Sequence, residues 1–369
     1  MSNDAPVPFS SVSSNDTPLF SYPPDFVLRS SDGFDFHVHR ELLRLTSGCF
    51  EGMFVVSRSN AGNSNDVDSD PQQRTEDGKP IVTLTEPKSV LYRLLSLAYP
   101  VVSINPLSLT RAQDLDNITA VFQAAEKYQF THIPRVLEQM LDKPQLIALY
   151  PYRMFAIARV CNLTALAHKC VLATLNGGAE ALNVTFPEMT LLTWDDAHKV
   201  NKFHQQCSVL ASNCAQSMGR LHLKPEAADN VINCLINPQT GTDYVWWTCK
   251  GHNDYCSGKY FGGSSVSSRI STVTKNSAKR ASSFFSRGPE LVEPHAMWFR
   301  SHIKGVQEQL LIRPTDVSIV LALKEEDKST ISSCRLCSKQ AQSDLLDLQV
   351  VLTQEITNMH GRLARAMFS

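Results

Sequence analysis

The chain has 369 residues, 43% of them apolar, with 35 Lys and Arg against 36 Asp and Glu. That length and apolar content allow two buried cores, because single cores stop growing near roughly 250–300 residues. A net charge of −1 gives no electrostatic reason for a nucleic acid or a membrane surface as partner.

Residues 1–22 are rich in Ser, Asn, Asp and Pro, without the basic start and apolar core of a secretory signal, and are expected to be disordered. No apolar run reaches the ~20 residues that span a bilayer; Leu91 to Ile104 is interrupted by Arg93 and Pro100. The expectation is an intracellular protein, cytoplasmic or nuclear, whose ten cysteines are thiols or metal ligands and not disulfides.

Asp25 to Arg29 reads as a short strand, Ser31-Asp32-Gly33 as a turn and Phe34 to Val38 as the second arm of a hairpin. After His39 the apolar spacing turns helical, with Ser47-Gly48 breaking the run into two short helices. Residues 57–79 carry almost no apolar side chain and are expected to form a disordered insert. Pro80 to Thr85 reads as a third strand that returns to the hairpin.

Three stripes follow at helical spacing: Leu91, Leu94, Leu95 and Ala98; Ile118, Val121, Phe122 and Ala125; Ile133, Val136, Leu137, Met140 and Leu141. The third stripe follows the second within a few residues, which predicts antiparallel helical neighbours, and further helices run over Tyr152 to Cys161 and Leu163 to Thr174. Beyond residue 178, Trp194 to Cys207 and Ser208 to Leu223 look mostly helical. Residues 262–290 read as a flexible basic Ser-rich loop in which Lys279-Arg280-Ala281-Ser282 resembles a basophilic kinase target. Leu345, Leu348, Leu352, Ile356, Met359 and Leu363 mark a long last helix, expected to pack on its own domain because sustained heptads are missing.

One compact metal-like pair is present, Cys334-x-x-Cys337, and Cys249 and Cys256 could complete four ligands, with His252 able to replace one thiolate. One structural zinc on this set would close a domain that has few other constraints. The seven-residue step from Cys249 to Cys256 is looser than the usual pair, so four ordinary thiols remain the alternative. No G-x-S-x-G, Walker loop, G-x-G-x-x-G or H-E-x-x-H occurs, so no enzyme, catalytic residue or small-molecule substrate is expected.

Asp25-Phe26-Val27-Leu28, then Phe36 to Leu43, then Ser47-Gly48-Cys49-Phe50-Glu51-Gly52-Met53-Phe54 resemble the core signature of BTB/POZ domains. The likeness continues through Ile81 to Leu84, Leu94 to Pro100 and Ala124 to Tyr128, and covers about residues 23–142. The helices of 143–178 resemble the extension that often follows such domains. Paired cysteines with a Trp like Trp298 and a Pro like Pro314 between them resemble those of some fungal BTB proteins.

The resemblance implies an α+β N-terminal domain, a small sheet flanked by helical hairpins, followed by a mainly helical region over 179–369. It also implies a function exercised through surfaces: a scaffold, adaptor or co-regulator that binds other proteins, dimerises, or serves a cullin-type ubiquitin ligase. Transcription-linked regulation is a further alternative. In the dimerising branch Asp25 and Arg40 match a charged pair near the dimer face; the plainer alternative is a strand-entry cap and a helix-start arginine facing water. The missing N-terminal strand and helix count against stable dimerisation, and the insert at 57–79 counts against the cullin role. His39 is expected to be a hydrogen-bonded core histidine and not a ligand.

Overall fold

A computed structural model describes residues 4–10, 22–60, 74–75, 77–99, 109–219, 221–223, 244–249, 290–292 and 296–369. The chain is mostly helical, with a small three-stranded sheet near the N-terminus. It divides into two units, Met1–Cys170 with Thr185–Thr193, and Val171–Val184 with Trp194–Ser369.

In the first unit, β1 (Phe26–Arg29) and β2 (Asp35–Val38) form the expected hairpin, Phe26 opposite Val38. Gly33 supplies the left-handed turn at φ 82°, and Asp32 beside it accepts a hydrogen bond from the Lys88 amide at 2.8 Å. The turn thus also holds the start of a helix 56 residues away. α1 (Arg40–Thr46) and α2 (Gly48–Asn60) are separated at Ser47, whose hydroxyl accepts the Phe50 amide at 3.2 Å and caps α2. β3 (Ile81–Thr83) then pairs parallel with β1, giving the order β2-β1-β3.

α3 (Lys88–Ala98), α4 (Ile118–Lys127) and α5 (Ile133–Leu141) bury the predicted stripes, except that Val136 and Met140 are only half-buried. α4 ends on Gln129 at φ 56°, with the Phe130 amide reaching back to the Ala125 carbonyl at 2.8 Å. This left-handed cap lets α5 begin within a few residues. α6 (Pro144–Leu149) and α7 (Pro151–Val160) follow, and α8 (Thr164–Thr174) leads into the second unit. The core of the first unit gathers Phe26, Phe36, Phe50, Leu94, Leu95, Phe122, Leu137 and Phe155, all buried. Each such side chain stabilises the fold by about 1.5–3 kcal/mol before entropy is counted.

Two expectations of disorder are corrected in part. Residues 4–10 lie against β2: Asp4 bridges Asp35, the Ala5 amide donates to the Asp35 carbonyl at 3.0 Å, and the Phe9 carbonyl accepts from His37 at 2.9 Å. Phe9 is buried edge-on to Tyr92 and Tyr99, so a single aromatic residue anchors a segment whose average composition is polar. In the insert, residues 57–60 continue α2, and the Thr75 hydroxyl accepts the Lys79 amide across a turn at Gly78. A side-chain hydrogen bond orders that turn where apolar burial cannot. The rest of the insert, residues 61–73 and 76, lies outside the described residues.

The domain boundary expected at 178/179 is also replaced. Val171–Val184 belongs with the second unit, while Thr185–Thr193, including a 3-10 turn over Pro187–Leu191, returns to the first. Arg153 on α7 is the reason: its guanidinium donates to both carboxylate oxygens of Glu188, at 2.8 and 2.9 Å, to Asp116 at 2.6 Å and to the Ala112 carbonyl at 2.6 Å.

In the second unit, Trp194 to Gly219 is one helix, α9, and not two. Leu221–Leu223, expected to be helical, is instead strand β4, paired antiparallel with a later strand, β5 (Glu290–Val292). Hydrogen bonds from a distant segment replace those of a further helical turn, a long-range choice that local spacing does not carry. Glu290, assigned to the basic loop, is therefore strand; residues 262–289 lie outside the described residues.

Between these strands falls the short α10 (Val245–Thr248); after them come α11 (Met297–Ile312), α12 (Glu325–Ser333) and α13 (Cys337–Phe368). As expected, the α13 stripe packs within its own unit: Leu345, Leu348, Leu352 and Ile356 are buried with Trp246, Phe299 and Leu310. Trp246 stacks on Phe299 with ring centroids 4.1 Å apart.

Among the described residues of this unit three histidines are buried: His204 on the Thr174 hydroxyl at 2.8 Å, His302 on the Val320 carbonyl at 2.7 Å and His360 on the Cys207 carbonyl at 3.1 Å. Burial disfavours the imidazolium in each, and His204 is held down to about 4. The unfolded chain binds these protons more readily, so stability is expected to fall as pH drops from about 6.5 towards 4. The His204 share is roughly 3 kcal/mol. Urea unfolding at pH 7 and pH 5 checks this, and His204→Gln should flatten the difference.

Candidate metal centre

Three cysteines meet in the second unit. Cys249 ends α10, its amide bonded to the Val245 carbonyl at 2.8 Å; Cys334 follows α12; Cys337 opens α13. Their sulfurs all lie within 4.8 Å of one another, with Cys249 and Cys334 at 3.4 Å. An ion held tetrahedrally at about 2.3 Å from each thiolate spaces the sulfurs about 3.8 Å apart, so these distances bracket what a zinc-sized ion requires.

The local backbone suits the same purpose. Cys334 is extended, and the amides of Cys337 and Leu336, at the start of α13, point to its sulfur. Burial raises its thiol, but those amides and the Cys249 thiol outweigh burial and hold Cys334 below the ordinary thiol value. Cys337 is pushed the other way, well above that value, chiefly by burial. It is fully enclosed and would give up its proton only to a cation placed beside it.

The Trp298 indole N–H is buried with no hydrogen-bond partner among the described residues, and its nearness to the Cys337 thiol works against burial there, favouring the thiolate. Donors aimed at ligand sulfurs tune and orient metal sites. Asp344 holds the other wall: its carboxylate accepts the Val245 amide at 2.6 Å, fixing α10 on α13. Cys337, Ala341 and Asp344, spaced four and then three residues apart, share one face of α13, which is the signal that could have marked Asp344 in advance. A buried group of three cysteines able to hold a metal is therefore present. The two other anticipated ligands, Cys256 and His252, lie outside the described residues.

The first unit brings Asp25 and Arg40 together within one chain. Asp25 accepts the Arg40 amide at 2.8 Å and so caps α1 with its side chain, while the two charged groups stand 4.0 Å apart. The guanidinium lies over the rings of Phe26 and Phe54, at 5.5 and 5.2 Å from their centroids. An arginine simply facing water is thus replaced by one spread over an aromatic pair. His39 is hydrogen-bonded as expected, to the Tyr22 carbonyl at 2.9 Å and the Tyr99 hydroxyl at 3.3 Å, but it is half-buried and not part of the core. No family model matches the chain, and no curated protein matches it.

Proposed function

We propose that the chain is a protein-interaction scaffold or adaptor: its first unit works as a BTB/POZ-type module, and one structural zinc ion pins its second. No catalytic step is assigned to it. The observation that carries the reading is the convergence of the segments that resemble the family. Phe26 on β1 meets Phe54 on α2 edge-on at 5.1 Å, and Phe50 stacks on Tyr128 at 5.6 Å. α1 and α2 lie in sequence between β2 and β3, and β1 lies between those strands in the sheet.

The zinc part rests on the sulfur spacing and on the amides directed at Cys334. Cys249, Cys334 and Cys337 would bind the ion, with Cys256 or His252 in the fourth position. The ion would supply a cross-link between the start of α13 and the segment ending at Cys249, and no open position for a reaction.

Cross-linking mass spectrometry of the tagged full chain in its own cells tests the interaction reading. Cross-links to other proteins, to a cullin or to a second copy are expected at residues of the first unit. Partner cross-links confined to the second unit would overturn the assignment, and a cullin among the partners would select the ligase-adaptor form of it.

A further inference from the structure

The cysteine cluster contains two sulfurs poised for a different bond. Cys249 and Cys334 stand 3.4 Å apart, and a disulfide needs about 2.05 Å, so a relative shift of a little over 1 Å joins them. Both sit where the backbone can give: Cys249 just past a single helical turn, and Cys334 on the two-residue approach to Cys337. Cys337, by contrast, is fixed as the first residue of a 32-residue helix and is fully buried. Of the three, only Cys334 is partly open to solvent, so a dissolved oxidant reaches it first.

We infer that Cys249 and Cys334 form an oxidation site, converted to a disulfide by hydroperoxides, and that closure removes two ligands from the metal. The release of metal rests on the zinc reading above; the disulfide itself needs only the two thiols. The Cys334 sulfur attacks a peroxide oxygen, the O–O bond breaks, and the products are a sulfenic acid and one water. The Cys249 sulfur then displaces the hydroxyl, forming the S–S bond and a second water. Two thiols are oxidised by two electrons, and one hydrogen peroxide is reduced to two waters. With both sulfurs tied to each other, Cys337 and one further ligand are too few to hold a structural ion.

The test uses the purified full chain, as isolated and after treatment with a chelator, exposed to hydrogen peroxide and mapped by mass spectrometry without reduction. In the sample as isolated, which decides the inference, a peptide pair joined through Cys249 and Cys334 is expected to dominate; in the chelated sample, whose second unit should be unfolded, pairing should lose that selectivity. A chromogenic chelator should report zinc release in step with the cross-link. Cys334→Ser should abolish the pair, and Cys161→Ser in the first unit should leave it. Recovery of Cys334 as sulfinic acid with Cys249 still reduced, or its joining to Cys337 or Cys256, overturns the inference. A chain that carries no zinc yet forms the pair sinks the metal reading and leaves the oxidation site standing.

Discussion

Stripping the metal with a strong chelator should unfold the second unit and leave the first with its own cooperative transition. Structural zinc contributes about 10–16 kcal/mol of apparent folding free energy in small sites, comparable to the whole stability of a domain, about 5–15 kcal/mol. On the zinc reading the second unit would depend on the ion, because the cluster would then join the segment ending at Cys249 to the start of α13, while the Val245–Asp344 bond is a further polar tie between α10 and α13. Thermal unfolding followed by circular dichroism should therefore show two transitions, of which only one moves on chelation, by well over 10 °C, and returns on adding zinc. Cys337→Ser should reproduce the loss and abolish the response to zinc. Because Cys337 holds its proton strongly, zinc uptake should release protons and weaken as pH falls. An unchanged melting profile under chelation would reject the metal site.

Glu188→Ala should destabilise the first unit by about 3–5 kcal/mol, the cost of leaving a buried cation without its partner. Arg153 and Glu188 are 7% and 3% exposed, and their two-point contact is in a place where water cannot replace either group. Asp116 retains one bond to the guanidinium and the Ala112 carbonyl another, so the loss should sit at the lower end of that range. Arg153→Met combined with Glu188→Leu removes both charges and should cost clearly less than Glu188→Ala alone. Urea unfolding of the three proteins measures this. Equal losses in the single and double variants would mean that packing, and not charge pairing, holds the segment.

The parts of the molecule visible in its sequence are those whose signal is periodic or local. The hairpin follows from Ser31-Asp32-Gly33, and the helices of the first unit follow from stripes whose inward positions are the buried ones. Cys334 and Cys337 stand out by their spacing, and the fold brings Cys249 beside Cys334 from 85 residues away. What escaped depends on contacts between segments far apart in the chain. β4 and β5 are three residues each and define one another only by pairing. Phe9 lies in a stretch whose polar majority hides one buried ring. Arg153 carries a sign of its own: a charge within Tyr152-Arg153-Met154-Phe155-Ala156-Ile157, where every neighbour is buried, requires a counter-charge. The carboxylate that answers it is 35 residues away.

That answer restricts how the chain can be divided. Glu188 sits in Thr185–Thr193, flanked on both sides by sequence that belongs to the other unit. The halves are consequently not interchangeable cassettes. A gene fusion or splice junction within 171–184 would put the cation and its carboxylate on different chains, so a first unit cut there should lose the stability that this pair gives it.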